Sequence, residues 1–185
     1  LNIFEPRYLD MINDSMRGNK IIGLIQPKNQ SKNIPELYSI GCAAKITSYN
    51  ELEDGRYLIA LNGISRFKIL KEIVNNKTYR ECEISFEEYN FDQKQNTSKF
   101  IKTDLEPIFE NLKSLLKKRN YIINIDSLKK ESIEKIINTL AMASPFSLEE
   151  KQALLETHNI LERKLELEQI LNTYIVDNFN NTTLQ

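Results

Sequence analysis

Hydrophobic and polar residues alternate on both sides of a single Asp54-Gly55 pair, and this is the clearest pattern in the chain. Side chains of a β-strand point alternately to opposite faces, so each flanking segment can bury one face and expose the other. The apolar face before the pair is formed by Ile40, Cys42, Ala44 and Ile46, and the one after it by Tyr57, Ile59, Leu61, Phe67 and Ile69. Asp-Gly supplies the positive φ angles of a tight hairpin turn. The pattern therefore predicts a β-hairpin over residues 38–70.

The second arm of this hairpin, residues 57–70, is longer than an ordinary strand of about 5–6 residues. Gly63 lies in its middle, on the predicted core face, where a glycine commonly marks a bulge or a sharp bend. A long bent hairpin curls, and curling is how a small sheet begins to close into a barrel. We therefore expect a curled antiparallel sheet.

Before the hairpin, the sequence predicts a helix and a short strand. Pro6 suits the first position of a helix over residues 7–16, and Gly18 suits its C-terminal end. A short buried strand follows at residues 21–25, and the polar residues 28–33 form a loop.

After the hairpin, alternation over residues 79–89 predicts a third long strand. One face carries Cys82, Ile84 and Phe86, and the other carries Glu81, Glu83 and Glu87. The acidic row is most simply a solvated face, with a binding role as the alternative. It argues against contact with RNA or DNA at that surface, because phosphate binding needs lysine and arginine.

The two cysteines, Cys42 and Cys82, both fall on inward faces of predicted strands. We interpret them as small buried apolar residues that stay reduced in a cytoplasmic setting, with a disulfide between neighbouring strands as the alternative. The single histidine, His158, lies in a helical region far along the chain. Since cysteine–histidine catalysis needs the base within hydrogen-bond reach, a catalytic cysteine is disfavoured.

The second half of the chain has helical periodicity, and the polar residues 90–97 mark its boundary. One apolar stripe consists of Phe100 or Ile101, Leu105, Ile108, Phe109, Leu112, Leu115 and Leu116; a second consists of Ile133, Ile136, Ile137 and Leu140. Pro107 is expected to kink or begin a helix. A capping box at Ser147 with Glu150 opens a third helix through Ala153, Leu154 and Leu155. Another at Asn159 with Glu162 opens a fourth helix, whose apolar stripe is Leu161, Leu165, Leu171, Tyr174 and Ile175. A frayed tail is expected from residue 178. These stripes predict the core of a small helical bundle, with a cofactor box as a poorer interpretation.

Length and composition agree with this division. The chain has 185 residues, 41% of them hydrophobic and 28% charged, and a net charge of −1. These values suit a globular protein without a long-range attraction to nucleic acid or anionic membrane. The fold class is α+β, with a β-rich subdomain over residues 1–92 and a helical bundle over residues 98–178.

Motifs for several kinds of active site are missing from the sequence. It contains no phosphate-binding loop, dinucleotide fingerprint or serine elbow. Two separated cysteines and one histidine do not make a zinc site of usual spacing. We therefore predict no catalytic residues, no cofactor and no metal.

Several short motifs occur in the order of a known family. They include Ile3-Phe4-Glu5-Pro6-Arg7-Tyr8, Ile22-Gly23-Leu24-Ile25, Tyr38-Ser39-Ile40-Gly41-Cys42, Asp54-Gly55-Arg56-Tyr57, Leu61-Asn62-Gly63, Arg66-Phe67-Lys68-Ile69 and Glu149-Glu150-Lys151-Gln152-Ala153-Leu154-Leu155-Glu156, followed by Arg163. With this set, the chain resembles the N-terminal substrate-recognising domain of Lon protease, the LON domain, including its stand-alone members.

The resemblance implies a PUA-like, partly closed β-barrel followed by a helical bundle, and a non-catalytic role in binding unfolded or degron-bearing polypeptides for ATP-dependent proteolysis. It implies a cytoplasmic protein that works with a protease or ATPase partner or as a homo-oligomer, without nucleic acid or membrane. Whether the chain is an excised domain or a stand-alone protein stays open.

One departure from the family concerns the start of the chain. The family usually has another apolar, proline-punctuated strand just before the position of Leu1, and without it a sheet edge is left unpaired. We expect either that the native protein has this strand or that a neighbouring chain fills the gap.

Among the residues shared with the family, the candidate binding residues are Glu5, Arg7, Tyr8 and Arg66. A structural role is the preferred interpretation, with Glu5, Arg7 and Arg66 forming an ion-pair set that anchors the first helix to the barrel. Two other function classes stay open: a PUA-like RNA-binding module, which rests on fold analogy alone, and a scaffold or oligomerisation module. An enzyme of unrecognised type is a third possibility.

Overall fold

The computed structural model describes residues 1–28, 34–92, 105–118 and 125–182 of the chain. The chain divides into two compact units, one of residues 1–96 and one of residues 97–185. The first unit contains the sheet and one long helix, and the second is helical in all its described elements. This is an α+β fold, as the sequence predicts.

The predicted hairpin is confirmed. Strand β3 covers Ile40–Glu51 and strand β4 covers Tyr57–Ile73, and the two pair along their lengths in antiparallel register. Gly55 turns the chain between them with φ of +80°, but Asp54 does not have the positive φ that the prediction gave to both residues of the pair. The loop is longer than a two-residue turn, because the last backbone hydrogen bond runs from the Leu52 N–H to the Arg56 carbonyl. Asp54 stabilises the turn by accepting a hydrogen bond from the backbone N–H of Arg56 and one from its guanidinium.

The other strands add to the two outer edges of this hairpin. Strand β2 (Ile21–Leu24) pairs with β3, whereas β1 (Asn2–Ile3) and β5 (Glu81–Ser85) both pair with β4. Within the described residues the sheet runs in the order β1, β4, β3, β2, and its ends do not pair with each other. The sheet is therefore only partly closed, as predicted.

The bend predicted at Gly63 is present as a bulge. Gly63 is opposite Ala44 and Ser65 is opposite Ala43, so the residue between Gly63 and Ser65 has no partner on β3. Such an extra residue bends the strand and increases its twist. The glycine therefore marks the point where the long strand changes direction.

Helix α1 (Pro6–Arg17) lies against one face of the sheet. It begins at Pro6 and is followed by Gly18, as predicted. Ile12 of this helix is fully buried, and the apolar cluster around it consists of Ile22, Ile46, Tyr57 and Ile59, with Ile3 and Leu61 partly buried at its margin. The tip of the β4–β5 hairpin reaches the same helix, where the Tyr79 hydroxyl donates to Asp14 at 2.7 Å.

Strand β5, which the sequence predicts over residues 79–89, is shorter than predicted. It ends at Ser85 rather than continuing to residue 89, because the chain turns into a short 3₁₀ helix at Glu87–Tyr89. This turn buries the ring of Tyr89 and leaves Phe86 exposed, contrary to the inward position expected for it. Residues of the acidic row are paired with lysines: Glu81 with Lys77 and Glu83 with Lys71. Cys42 and Cys82 are both free thiols and are half-buried.

The second unit contains five helices among its described residues: α2 (Glu106–Lys118), α3 (Ile125–Leu128), α4 (Ile133–Ala143), α5 (Leu148–Glu156) and α6 (Ile160–Thr182). The first two predicted apolar stripes lie in its core, apart from Phe100 and Ile101, which lie outside the described residues. The stripe predicted for the last helix is partly wrong, because Leu161 and Leu165 are exposed whereas Leu171 is buried together with Ile160, Leu167 and Ile170. Pro107 is in the first turn of α2. Ser147 and Glu150 form the predicted capping box of α5. At the start of α6, Asn159 accepts from the backbone N–H of Glu162.

The end of α6 corrects one expectation. The helix continues to Thr182, where a frayed tail was expected from residue 178. No proline or glycine interrupts the chain between Ile160 and Thr182, so the backbone hydrogen-bond ladder has no break there.

Candidate functional site

Two strands share one edge of β4 and leave its middle uncovered. Strand β1 pairs with Tyr57 and Leu58 at one end, and β5 pairs with the stretch from Lys68 to Ile73 at the other. Since β3 pairs with the opposite edge of β4 from Tyr57 to Lys68, β1 and β5 both lie on the same side of β4. Between them, residues 60–65 pair with no strand on this side among the described parts of the chain. We call residues 60–65 the open edge.

The direction of backbone groups along the open edge follows from the flanking hydrogen bonds. The Ile59 N–H donates to the Leu1 carbonyl at 2.9 Å, and the Leu1 amino group donates to the Ile59 carbonyl at 2.6 Å. In an antiparallel ladder, every second residue directs both backbone groups to the same side. Leu61 and Gly63 therefore direct their N–H and C=O groups toward the open edge, as Ile59 does toward β1.

Arg66 closes the far end of the open edge together with Asp92. The backbone N–H of Arg66 donates to Asp92 Oδ2 at 2.9 Å, where a strand would otherwise accept it. Its guanidinium also donates to both carboxylate oxygens, Nε to Oδ2 at 2.9 Å and Nη2 to Oδ1 at 2.7 Å. The side chains of Arg66 and Asp92 are only 7% and 19% exposed. This bidentate ion pair holds Asp92, and with it the residues that follow β5, against β4.

Aromatic rings complete the burial of Arg66. Its guanidinium carbon lies 4.1 Å from the centre of the Tyr89 ring and 5.9 Å from that of Phe91. A planar guanidinium stacks well on an aromatic face, because its charge is delocalised and weakly hydrated. Among the described residues, Arg66 thus has Asp92, Tyr89 and Phe91 as partners. The structural role that the sequence favours for it stays a prediction.

The other three candidate residues lie at the start of α1. Arg7 forms an exposed ion pair with Glu5 at 2.8 Å, and its guanidinium lies 4.5 Å from the centre of the Tyr8 ring. Among the described residues Glu5 does not contact Arg66, whose ion pair is with Asp92. The expected three-residue anchoring set is therefore wrong. Asp92 was missed because nothing in its polar surroundings in the sequence signals a partner 26 positions away.

Exposed apolar side chains lie near the β1 end of the open edge. They are contributed by β1 and its flanks and by the part of β4 with which β1 pairs: Leu1, Phe4 and Leu58. On the face of β4 opposite to Leu58, Leu61 is partly buried against the cluster around Ile12. This end of the open edge is thus apolar on both faces of the sheet.

Reactive groups do not gather in the parts of the chain that the structure describes. No cluster of three or more histidine, cysteine, aspartate or glutamate side chains there could hold a metal ion. Burial raises the pKa of the Cys42 thiol above its ordinary value. Such a thiol stays protonated at neutral pH and is a poor nucleophile. In the same residues, no helix combines the length and apolar character needed to cross a membrane.

Comparison with known proteins gives a consistent result. A family model for the ATP-dependent protease La (LON) substrate-binding domain matches residues 1–173. A Lon protease of Flavobacterium johnsoniae is 28% identical over 174 residues, which are 91% of this chain and 21% of that protein. A Lon protease of Buchnera aphidicola subsp. Schizaphis graminum is 31% identical over 95% of this chain and 23% of its own length. The chain therefore spans only about a fifth of the length of these relatives.

Solved structures show the same architecture. The Lon N-terminal domain protein from Xanthomonas campestris superimposes with a TM-score of 0.62 at 21% identity, covering 93% of this chain and 86% of that one. The N-terminal domain of a Mycobacterium avium complex Lon protease superimposes with a TM-score of 0.59 at 17% identity, covering 93% and 89% of the two chains. These similarities establish the fold.

Proposed function

The chain belongs to the family of LON substrate-binding domains, and from this we propose that it binds polypeptides and catalyses no reaction itself. The observation that carries the proposal is the extent of the family match, which covers residues 1–173 of 185. The matched part is about a fifth of each full-length relative and is the part described as substrate-binding. Proteolysis and ATP hydrolysis are accordingly assigned to other parts of such a protein, or to a partner.

The surface of the first unit supports this proposal. Unfolded polypeptides differ from folded ones by exposing apolar side chains and unpaired backbone groups, so a binding module needs surfaces that complement both. Phe4 and Leu58 offer exposed apolar surface of this kind in the first unit.

The biological setting follows from the same membership. We propose that the polypeptides are unfolded or degron-bearing proteins of the cytoplasm. We further propose that an ATPase and a protease act on them, either in the same longer chain or in a separate partner. A homo-oligomer of this chain would bind with higher avidity, because several weak sites would act on one polypeptide.

The test is a titration with one protein in two states. Reduced and carboxymethylated α-lactalbumin is permanently unfolded, whereas the native, disulfide-bonded protein is its matched folded control. We expect saturable binding of the unfolded form with a Kd below about 1 mM, corresponding to about −4 kcal/mol, and much weaker binding of the native form. Mass spectrometry of the mixture should show intact α-lactalbumin. Equal affinity for both forms, or no binding of either, would contradict the proposal.

A further inference from the structure

We propose that the Asp54-Gly55 turn is the position at which this chain forms isoaspartate, and that Arg56 slows this reaction by holding the Asp54 carboxylate. Isoaspartate is a spontaneous modification of the main chain, and its formation needs no enzyme. The inference goes beyond polypeptide binding and does not rest on it. It concerns residues 53–56, which join β3 to β4 and are all exposed.

The reaction uses only atoms of the turn and one molecule of water. The backbone nitrogen of Gly55 attacks Cγ of the protonated Asp54 carboxyl, and the new N–C bond closes a succinimide ring. The C–OH bond breaks, and the hydroxyl leaves with the amide proton as water. Water then opens the ring at one of its two carbonyl carbons. Opening at the main-chain carbon gives isoaspartate, whereas opening at Cγ restores aspartate.

Glycine and exposure favour the reaction at this position. Gly55 has no side chain to hinder the approach of its nitrogen to the carboxyl group. Even an added Cβ on Gly55 would find no atom within 4 Å. The ring therefore has room to form, and water can reach it.

Asn62-Gly63 is the other pair in the sequence whose side chain and glycine allow the same ring closure. It lies inside the hairpin ladder, where Asn62 is opposite Lys45 and Gly63 is opposite Ala44. A residue held in a ladder must open locally before its backbone can rotate for ring closure. We therefore expect the folded chain to react at Asp54 before Asn62.

Arg56 engages both oxygens of the reacting carboxyl group. Its backbone N–H donates to Oδ1 of Asp54 at 3.2 Å, and its Nε donates to Oδ2 at 2.7 Å. These contacts restrain the rotation that would bring Cγ onto the Gly55 nitrogen. That nitrogen is itself held, because its N–H donates to the Leu52 carbonyl at 2.9 Å.

The same contacts act on the protonation of Asp54. Hydrogen bonds from Arg56, and its positive charge, lower the pKa of this carboxyl group. Glu51 and Glu53 are the other charged residues around the turn, and negative neighbours raise a carboxyl pKa. Since the pKa of Asp54 is nevertheless lowered, Arg56 outweighs them. Less of the reactive, protonated carboxyl is then present at neutral pH.

Isoaspartate would change the tip of the hairpin. The main chain would run through Cβ and Cγ of residue 54 and be longer by one carbon, and the free carboxylate would be attached to Cα. The hydrogen bond from the Leu52 N–H to the Arg56 carbonyl closes this loop. We therefore expect pairing near Glu51 and Tyr57 to loosen in the modified chain.

The first test follows the folded chain and three variants during incubation at neutral pH. Arg56→Gln removes the guanidinium, and Arg17→Gln is the matched control, because Arg17 is an exposed arginine paired with Asp14 on α1. Asp54→Glu keeps a carboxylate but requires a larger ring, which closes far more slowly. Labelling with an isoaspartate methyltransferase and radioactive S-adenosylmethionine counts the isoaspartate, and electron-transfer fragmentation of the digested chain locates it.

We expect Arg56→Gln to form isoaspartate at position 54 at least about threefold faster than the unmodified chain, because the protonated fraction of a carboxyl group changes about tenfold for each unit of pKa. Arg17→Gln should react like the unmodified chain, and Asp54→Glu should lose the signal. Equal rates for Arg56→Gln and Arg17→Gln would overturn the role of Arg56. Isoaspartate mapped mainly to other positions, or absent from every variant, would overturn the site.

A pH profile separates this role of Arg56 from general loosening of the turn. The ratio of the rates of Arg56→Gln and the unmodified chain should shrink as the pH falls toward the pKa of Asp54, because both carboxyl groups then become protonated. A ratio that stays the same at every pH would show that Arg56 does not act through the carboxyl group. Should a variant not fold, fragmentation of the unmodified chain still decides where isoaspartate forms.

Discussion

At the scale of single residues, Gly41 of β3 allows the backbone of Leu24 and the ring of Phe67 to approach the strand closely. A Cβ on Gly41 would lie 2.6 Å from the Leu24 carbonyl oxygen and 2.7 Å from both Ile25 Cδ1 and Phe67 Cζ. Two of these neighbours are side chains, but the third is backbone, which cannot turn aside. The sequence indicated an alternating strand here but not this contact, because the three neighbours come from β2, from the residue after it and from β4.

We expect Gly41→Ala to lower the free energy of unfolding by about 1–3 kcal/mol, the usual cost of overpacking a buried site. The matched control is Gly63→Ala, whose added Cβ has only an ordinary contact at 3.6 Å. Urea denaturation of both variants, followed by circular dichroism, measures the difference. If Gly41→Ala is as stable as Gly63→Ala, the close approach at Gly41 does not constrain the fold.

The Arg66–Asp92 pair is a second feature of this scale. We expect Asp92→Asn to lower the free energy of unfolding by about 3 kcal/mol, because it leaves the buried guanidinium without its counter-charge. Asp54→Asn is the control, since Asp54 pairs with Arg56 in an exposed turn, where such pairs contribute at most about 1 kcal/mol. Denaturant titrations of the two variants measure both changes in the free energy of unfolding. If the two changes are equal, burial does not strengthen the Arg66–Asp92 pair relative to the Arg56–Asp54 pair.

At the scale of elements, polar contacts hold the tip of the β4–β5 hairpin to α1. The Tyr79 hydroxyl donates to Asp14 at 2.7 Å and the Thr78 hydroxyl donates to Asp10 at 2.8 Å. These contacts join residues more than sixty positions apart and keep the end of the sheet curled over the helix. The sequence predicted the curl from strand length and Gly63, but it did not indicate which helix the hairpin would meet.

Tyr79→Phe is expected to raise the pKa of Asp14 toward its ordinary value of 3.8. The hydrogen bond from Tyr79 is the main cause that lowers this pKa in the folded chain. A carboxyl group with a lowered pKa stabilises the fold above its unfolded pKa, and this contribution is lost as the pH falls through the folded pKa. Removing the hydroxyl should therefore reduce the loss of stability on acidification.

NMR titration of the Asp14 carboxyl carbon measures this shift directly. Asp54 is an internal control in the same experiment, because the cause that lowers its pKa is Arg56 and not Tyr79. We expect the pKa of Asp54 to stay the same in the variant. An unchanged pKa of Asp14 would show that the hydrogen bond does not persist in solution.

At the scale of the whole molecule, charge separates two modes of recognition. The chain has a net charge of −1, from 25 lysine and arginine residues and 26 aspartate and glutamate residues. A domain that binds nucleic acid usually depends on a surplus of cations, and its affinity falls steeply with salt. A domain that binds polypeptides through backbone pairing and apolar contact has no such dependence.

We therefore expect the Kd for unfolded α-lactalbumin to change by less than about threefold between roughly 50 mM and 200 mM salt. A protein that makes several phosphate contacts would lose about a thousandfold in affinity over the same range. Fluorescence anisotropy at the two salt concentrations, with a single-stranded RNA as the second ligand, distinguishes the two cases. Strongly salt-dependent RNA binding with weak polypeptide binding would favour the RNA-binding alternative.

The sequence alone determined the features that depend on near neighbours. Alternation of apolar residues and the Asp54-Gly55 turn predicted the hairpin, Gly63 predicted the bend, and the capping box at Ser147 predicted the start of α5. Each of these depends on a few consecutive residues, because side-chain period and turn geometry are local properties of the backbone. The two helical stripes were predictable for the same reason.

Only the tertiary structure decided how these elements meet. In the folded chain, β5 ends at Ser85, Tyr89 packs over the guanidinium of Arg66, and Asp92 binds the same arginine. The tertiary structure also placed β1 and β5 on one edge of β4. These outcomes depend on contacts between residues far apart in the chain, where burial and packing outweigh local preference.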